Sequence, residues 1–237
     1  MLSPVAVVGA GPGLGRSLAR RFGREGRPVA LVARNEEKLA AVAEDLRAEG
    51  LTVGTYRADV TDEAGLTTAL LTAAAELGPI GALCYCPAPD WPALRASGNP
   101  LDFSALGLTG AAQTTAKAAR AQFETTIGGA LTATRAVLPG MREAGEGVLL
   151  FTAGRTANAL HPEMASAGIS TAGLRNWIAS LHAVLASEGI VVGRVAIGRS
   201  VMAGNGDCDP DAIAERAFRF VREDTGGEMT IGFDDDQ

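Results

Sequence analysis

The chain has 237 residues, 47% of them hydrophobic and 20% charged, with a formal net charge of −6. That length buries enough apolar surface for one soluble domain without a disulfide or metal staple, and the acidic balance leaves no basic stripe to neutralise a nucleic-acid backbone. Only two Tyr (Tyr56, Tyr85), two His (His161, His182) and two Lys (Lys38, Lys117) are present, so any chemistry that needs these residue types draws on six positions.

Short β-branched runs alternate with longer segments rich in Ala, Leu and Arg. Residues 4–8 read as a strand and 14–25 as a helix, 28–33 as a strand and 36–49 as a helix closed by Gly50. A strand over 52–57 precedes a helix over 62–77 capped by Asp62 or Thr61, and 80–86 is the next strand. A long helix over 116–144, a strand over 147–151, a helix over 164–188 and a strand over 191–197 follow. A last helix over 211–223 and a short strand over 228–231 end the pattern. Such β–α alternation predicts an α/β fold, a doubly wound parallel sheet with helices on both faces.

Two segments break the rhythm. Residues 87–115, with Pro87, Pro89, Pro92, Pro100 and Trp91, read as a lid or subunit-contact excursion with a short helix inside. Residues 198–210, with Gly204, Asn205 and Gly206, read as a flexible stretch over the same ligand crevice. Arg20, Arg21, Arg24 and Arg27 read as the solvated face of one helix. Cys84 and Cys86 point the same way on a strand as small buried hydrophobes, and with Cys208 and two histidines they offer no metal-ligand spacing. No basic n-region opens the chain, and its most apolar stretch, 66–86, is interrupted by Glu76 and Gly78-Pro79. A cytoplasmic protein without membrane or nucleic-acid partners is the expectation.

The first strand runs into Gly9-Ala10-Gly11-Pro12-Gly13-Leu14-Gly15, and a helix opens directly after it. Glycines at a strand-to-helix turn let backbone N–H groups approach a pyrophosphate, which the helix N-terminus then stabilises. The G-x-G-x-x-G spacing fails because Leu14 stands at its last position, while G-x-x-x-G-x-G fits through Gly9, Gly13 and Gly15. This position in a β-α-β unit predicts a bound dinucleotide. The second strand ends Ala33-Arg34-Asn35, with no carboxylate to hold a ribose 2′-hydroxyl. Arg34, with Arg16 near the helix start, suits a 2′-phosphate instead, so NADP(H) is favoured over NAD(H).

These motifs resemble the short-chain dehydrogenase/reductase family over nearly the whole chain. The glycine loop is similar to its T-G-x-x-x-G-x-G with Val8 for Thr, and Asp59-Val60-Thr61-Asp62 to its D-V-[ST]-[DN]. The stretches 123–141 and 147–154 resemble its long helix and its fifth strand with the active-site turn. The resemblance implies a Rossmann-like sheet and a cofactor site of Gly9, Gly11, Gly13, Leu14, Gly15, Arg34, Asn35, Asp59, Val60, Cys86, Pro87 and Ala88, with Asp59 on the adenine edge. It also implies a homodimer or homotetramer through the helices over 116–144 and 164–188.

Tyr85-Cys86-Pro87-Ala88 stands where the family has N-N-A-G, and Thr126 where it has a structural Asn. The catalytic Ser aligns with Ala153, beside Thr152, and Y-x-x-x-K aligns with Ala167 and Thr171. Neither Tyr has a Lys four residues on. Hydride transfer to a carbonyl needs a proton for the developing alkoxide, and the conventional donor is missing. Arg155 is a candidate oxyanion stabiliser and His161 the remaining titrating group near the expected reaction centre, with Thr152 adjacent. Three readings stay open: an atypical NADP(H)-dependent oxidoreductase acting on a small molecule, a non-redox enzyme of the same fold (an isomerase, lyase or cyclase), and a silent dinucleotide-binding partner or sensor.

Overall fold

Strand segments that are apolar at every position have no solvent face, and in a β-α-β chain they are covered by helices on both sides. The computed structural model, which describes residues 2–89, 98, 102–223 and 226–233, has that layering. Seven parallel strands lie in the order β3-β2-β1-β4-β5-β6-β7. They are β1 Val5–Val8, β2 Val29–Ala33, β3 Val53–Arg57, β4 Ala82–Tyr85, β5 Gly147–Gly154, β6 Ile190–Ile197 and β7 Gly227–Ile231. Among the described residues the α-helices are α1 Leu14–Gly23, α2 Glu36–Ala48, α3 Glu63–Leu77, α4 Ala116–Phe123, α5 Gly129–Ala144, α6 Ala165–Leu185 and α7 Pro210–Arg222. Along β1, Val5 and Val7 join one core with Leu18, Leu46 and Phe218 of α1, α2 and α7. Ala6 and Val8 join the other with residues of α3, α5 and α6. The chain winds outward from β1 to β3 and restarts at β4 on the other side of β1, which sets a crevice at the carboxyl ends of β1 and β4. Among the described residues no helix is long and apolar enough to cross a membrane.

Three features differ from the sequence expectation. The helix over 116–144 is two helices joined by a π-helical turn, Glu124–Gly128. Tyr85 bonds to it. Its hydroxyl donates to the Thr125 carbonyl at 2.5 Å and occupies the space a side chain at position 129 would need, which is why Gly129 stands there. Strand β5 extends to Gly154, paired with Ile197, so Thr152, Ala153 and Gly154 belong to the sheet and the turn starts at Arg155. Within residues 198–210 the chain carries local turn bonds. Asp209 accepts from the amides of Gly204 and Asp211 at 2.7 and 2.8 Å, and the Cys208 amide donates to the Asn205 carbonyl at 2.9 Å.

The arginines read as one solvated helix face, finally, divide. Arg20 and Arg21 stand on α1 and are paired, while Arg24 and Arg27 follow its end and Arg24 stays 63% exposed. Arg20, with 13% of its side chain exposed, bonds Glu49 at 2.8 Å and Asp211 at 3.2 Å. Arg21 reaches Glu215 and Glu25, Arg24 reaches Glu49, and Arg27 donates to Ser3. Helix α1 lies between α2 and α7, whose carboxylates line its flanks. Arg16 belongs to the same seam, 3.3 Å from Asp45.

The segment over 87–115 does contain a short helix, the 3₁₀ turn Phe103–Leu106. Trp91, Pro92 and Pro100 lie outside the described residues. Its later half is fastened to the start of α6: the Thr109 amide donates to Ser166 Oγ at 2.9 Å and the Ser166 amide to the Thr109 carbonyl at 3.2 Å. Cys84 and Cys86 are both buried and free, in the same core.

Candidate functional site

The glycine loop leaves β1 at the centre of the sheet. Gly9 has φ +89°, and a Cβ there would lie 2.5 Å from the Pro87 nitrogen, so only glycine lets the loop cross the end of β4. Gly15 is equally constrained, with a Cβ 2.8 Å from the Gly9 carbonyl oxygen. Gly11 and Gly13 differ: a Cβ at either meets nothing within 4 Å. Two glycines thus fix the loop against the sheet and two leave its outer side open. Gly13 caps α1 without a side-chain hydrogen bond, and no acidic residue stands in the first turn. The first N–H groups of a helix have no intrahelical partner and carry partial positive charge. This loop therefore fits the pyrophosphate of a dinucleotide. Leu14 turns its half-buried side chain to the core, so its contribution is its backbone.

The flanking residues are fixed by local bonds. Cys86 returns its amide to the Val8 carbonyl at 2.8 Å, and burial pushes its thiol up to about 12, far from a reactive thiolate. Pro87 is half-buried and Ala88 exposed beside it. Arg34 is 74% exposed, its guanidinium 3.8 Å from Asp59. Asn35 is committed to capping α2, accepting from the Lys38 amide at 2.8 Å. Asp59 Oδ1 accepts from the Thr61 amide at 2.9 Å and hydroxyl at 2.8 Å. Partial burial pushes the Asp59 carboxyl upward, but these bonds and Arg34 hold it below the ordinary value. Val60 is half-buried against the second core. It also lines one of two grooves, of about 310 and 320 Å³, that run along the α3–α5 seam rather than over the glycine loop.

At the start of α6, where the sequence reading expects the reaction end, stand small hydroxyl side chains. Ser170 donates to the Ala167 carbonyl at 3.0 Å and lies 3.4 Å from the Thr126 hydroxyl. Thr171 donates to the same carbonyl at 2.9 Å, which leaves it to accept from Thr156 at 2.9 Å. Both hydroxyls thus have a carbonyl of their own helix within hydrogen-bond reach. Thr152 and Ala153 are half-buried at the end of β5. Arg155 donates to the Gly198 carbonyl at 3.5 Å and so ties the end of β5 to the end of β6. His161 is half-buried, with Nε2 enclosed and without a hydrogen-bond partner among the described residues. His182 is far along α6, its ring against Gly226.

Neither tyrosine is a donor for this crevice. Tyr85 is 2% exposed and spends its proton on Thr125; Tyr56 is 8% exposed and spends its proton on Glu76 at 2.8 Å. Burial, joined by the neighbouring carboxylate at Tyr56, raises both phenols well above the ordinary value. Lys38 is on α2 and Lys117 on α4.

Sequence reasoning missed a buried ionic group behind this turn. Arg194 of β6 has 1% of its side chain exposed and pairs with its cross-strand neighbour Glu228 at 2.5 Å. Its Nη1 also donates to Asn158 Oδ1 at 3.0 Å, Asn158 Nδ2 donates to Glu228 at 2.8 Å, and Arg175 Nε reaches Glu228 at 2.8 Å. The available signal was one charge inside an otherwise apolar strand.

A family model described as short chain dehydrogenase matches residues 3–203. The protein Rv1856c of Mycobacterium tuberculosis, named as an oxidoreductase, is 30% identical over 200 residues, 84% of this chain and 78% of that protein. Glycine betaine reductase ATRR of Emericella nidulans is 42% identical over 83 residues; the matched part spans 35% of this chain and only 6% of that enzyme. Among solved structures, the NADPH-bound short chain oxidoreductase of Pseudomonas aeruginosa, described as containing an atypical catalytic center, superposes with a TM-score of 0.82. It is 19% identical and covers 99% of this chain and 98% of its own.

Proposed function

Since the chain belongs to the short-chain dehydrogenase/reductase family of oxidoreductases, we propose that it binds NADP(H) in preference to NAD(H) and acts on a small molecule with an atypical reaction end. The observation that carries this reading is the half-open glycine loop: Gly9 and Gly15 packed shut, Gly11 and Gly13 facing open space before an uncapped helix. Gly11, Gly13 and the first α1 amides hold the pyrophosphate, Arg34 the 2′-phosphate, Asp59 and Val60 the adenine edge, and Cys86 to Ala88 form a wall. The nicotinamide supplies or accepts a hydride when bound. An NADPH-bound neighbour of the same fold, described as atypical in its catalytic center, supports the combination.

The usual Ser, Tyr and Lys are absent from this reading: Ala153, Ala167 and Thr171 hold their places. In their stead Arg155 stabilises developing negative charge and His161, its Nε2 without another partner, holds the proton. The committed Ser170 and Thr171 hydroxyls favour a second reading, a nucleotide-binding protein without hydride transfer. The exposed Ile169 and Val184 of α6, with Phe123 of α4, support a homo-oligomer through this helix face.

Fluorescence titration with NADPH and NADH tests the cofactor. Arg34 is exposed and bonded to Asp59 only at 3.8 Å, so it is free to turn to a phosphate. Arg34→Ala is expected to weaken NADPH binding roughly 10- to 100-fold, the loss of one charge-assisted hydrogen bond or two, and to leave NADH binding within about twofold. Absence of binding by either nucleotide at millimolar concentration would overturn the reading. NADPH consumption against a panel of carbonyl compounds separates the oxidoreductase from the silent binder. With an active compound in hand, His161→Gln is expected to lower kcat about 10²-fold or more; unchanged turnover removes His161 as the acid.

A further inference from the structure

We propose that Arg194 is a positioning residue: paired with Glu228 beneath α6, it fixes through Asn158 the turn that carries Arg155 and His161. The reaction-end role of that turn rests on the reading above; the positioning itself does not. Other β6 residues facing the same core, Ile190 and Val192, are apolar and fully enclosed. An arginine in this row is an exception, and its Nε and Nη2 are enclosed without partners among the described residues. A buried donor left unpaired destabilises the fold, and an apolar residue of similar volume is commonly at least as stable as a buried ion pair. Stability alone therefore does not account for the guanidinium. Its Nη1 holds two groups at once, the Glu228 carboxylate and Asn158 Oδ1, while Asn158 Nδ2 returns to Glu228. The planar Asn158 amide is gripped at both ends. Its backbone stands in the same turn, with the Asn158 amide on the Arg155 carbonyl at 2.7 Å and the Met164 amide on the His161 carbonyl at 3.0 Å. Three elements thus set the path between Arg155 and His161 from behind.

Having only two histidines makes the test direct. The ring signals of His161 and His182 are assigned in proton–carbon spectra of the full chain from His161→Gln and His182→Gln. His182 reports on β7, because its ring rests on Gly226, two residues before Glu228. In Asn158→Ala and in Arg194→Met, the His161 signal is expected to shift or broaden, and amide exchange over residues 155–164 to rise at least tenfold. The His182 signal is expected to stay in place. A folded Asn158→Ala protein with an unmoved His161 signal overturns the proposal. Movement of both signals together also overturns it, since the group then merely holds the edge of the sheet. Should Arg194→Met fail to fold, Asn158→Ala alone decides. All spectra are recorded without nucleotide, so a failure to bind NADPH would sink the cofactor reading and leave this result standing.

Discussion

Glu228→Ala is expected to destabilise the protein by about 3 kcal/mol, and Arg194→Met by less than about 1 kcal/mol, in urea unfolding at neutral pH. The asymmetry follows from what each change leaves behind. Without Glu228, the 1%-exposed guanidinium of Arg194 loses its counter-charge and keeps only Asn158. An uncompensated buried charge is among the few single changes that cost this much. Without Arg194, Glu228 is still bonded by Arg175 and Asn158 and keeps 23% of its side chain in water, while methionine fills the space under α6. For a domain of this size about 3 kcal/mol lowers Tm by roughly 6–12 °C. Equal losses from both variants would mean that packing, not the charge, is what the site contributes. The pH dependence has a definite sign. Burial works to raise the Glu228 carboxyl, but Asn158, Arg194 and Arg175 hold it below its ordinary value. The unfolded chain then takes up this proton first as the pH falls. The stability from Glu228 is complete above the unfolded value of about 4.3 and is lost as pH drops through the lower folded value. Glu228→Gln is expected to remove that part of the acid limb, visible as a flatter stability profile below about pH 4.5.

The strands near the centre were legible because burial on both faces leaves no room for polar residues, as in Val5–Val8 and Val29–Ala33. The crevice followed from their alternation with helices. What escaped was set by partners distant in sequence. The end of β5 is Thr-Ala-Gly, with little strand character of its own, and is extended by pairing with β6. The π turn in the long helix receives a hydrogen bond from a tyrosine hydroxyl 40 residues upstream. Arg20 and Arg21 of α1 look solvated until Asp211 and Glu215, some 190 residues on, are folded beside them. The same division runs through the candidate site. Its nucleotide half is a local pattern of glycines and one arginine, which spacing alone reveals. Its other half joins the end of β5, the start of α6 and the ends of β6 and β7, so no single stretch displays it.

Gly9→Ala and Gly13→Val are expected to fail in opposite ways. At Gly9 an added methyl group would lie 2.5 Å from the Pro87 nitrogen and 2.8 Å from the Cys86 carbonyl oxygen. Both are backbone atoms, held by the Cys86–Val8 hydrogen bond at 2.8 Å, and cannot move aside as a side chain would. The residue also has φ +89°, a region costly for any Cβ. Strain and overpacking together should destabilise by about 3–4 kcal/mol. At Gly13 an added Cβ meets nothing within 4 Å, so stability is expected to change by no more than about 1 kcal/mol. It would, however, stand where the α1 amides must approach a pyrophosphate. Loss of one or two charge-assisted hydrogen bonds of about 1.5–3 kcal/mol each corresponds to a 10-fold or greater fall in NADPH affinity. Urea melts and NADPH titrations on the two variants check both halves. A Gly13→Val protein that binds NADPH as the wild type does would place the nucleotide elsewhere. A Gly9→Ala protein of unchanged stability would mean the loop does not press against β4 as described.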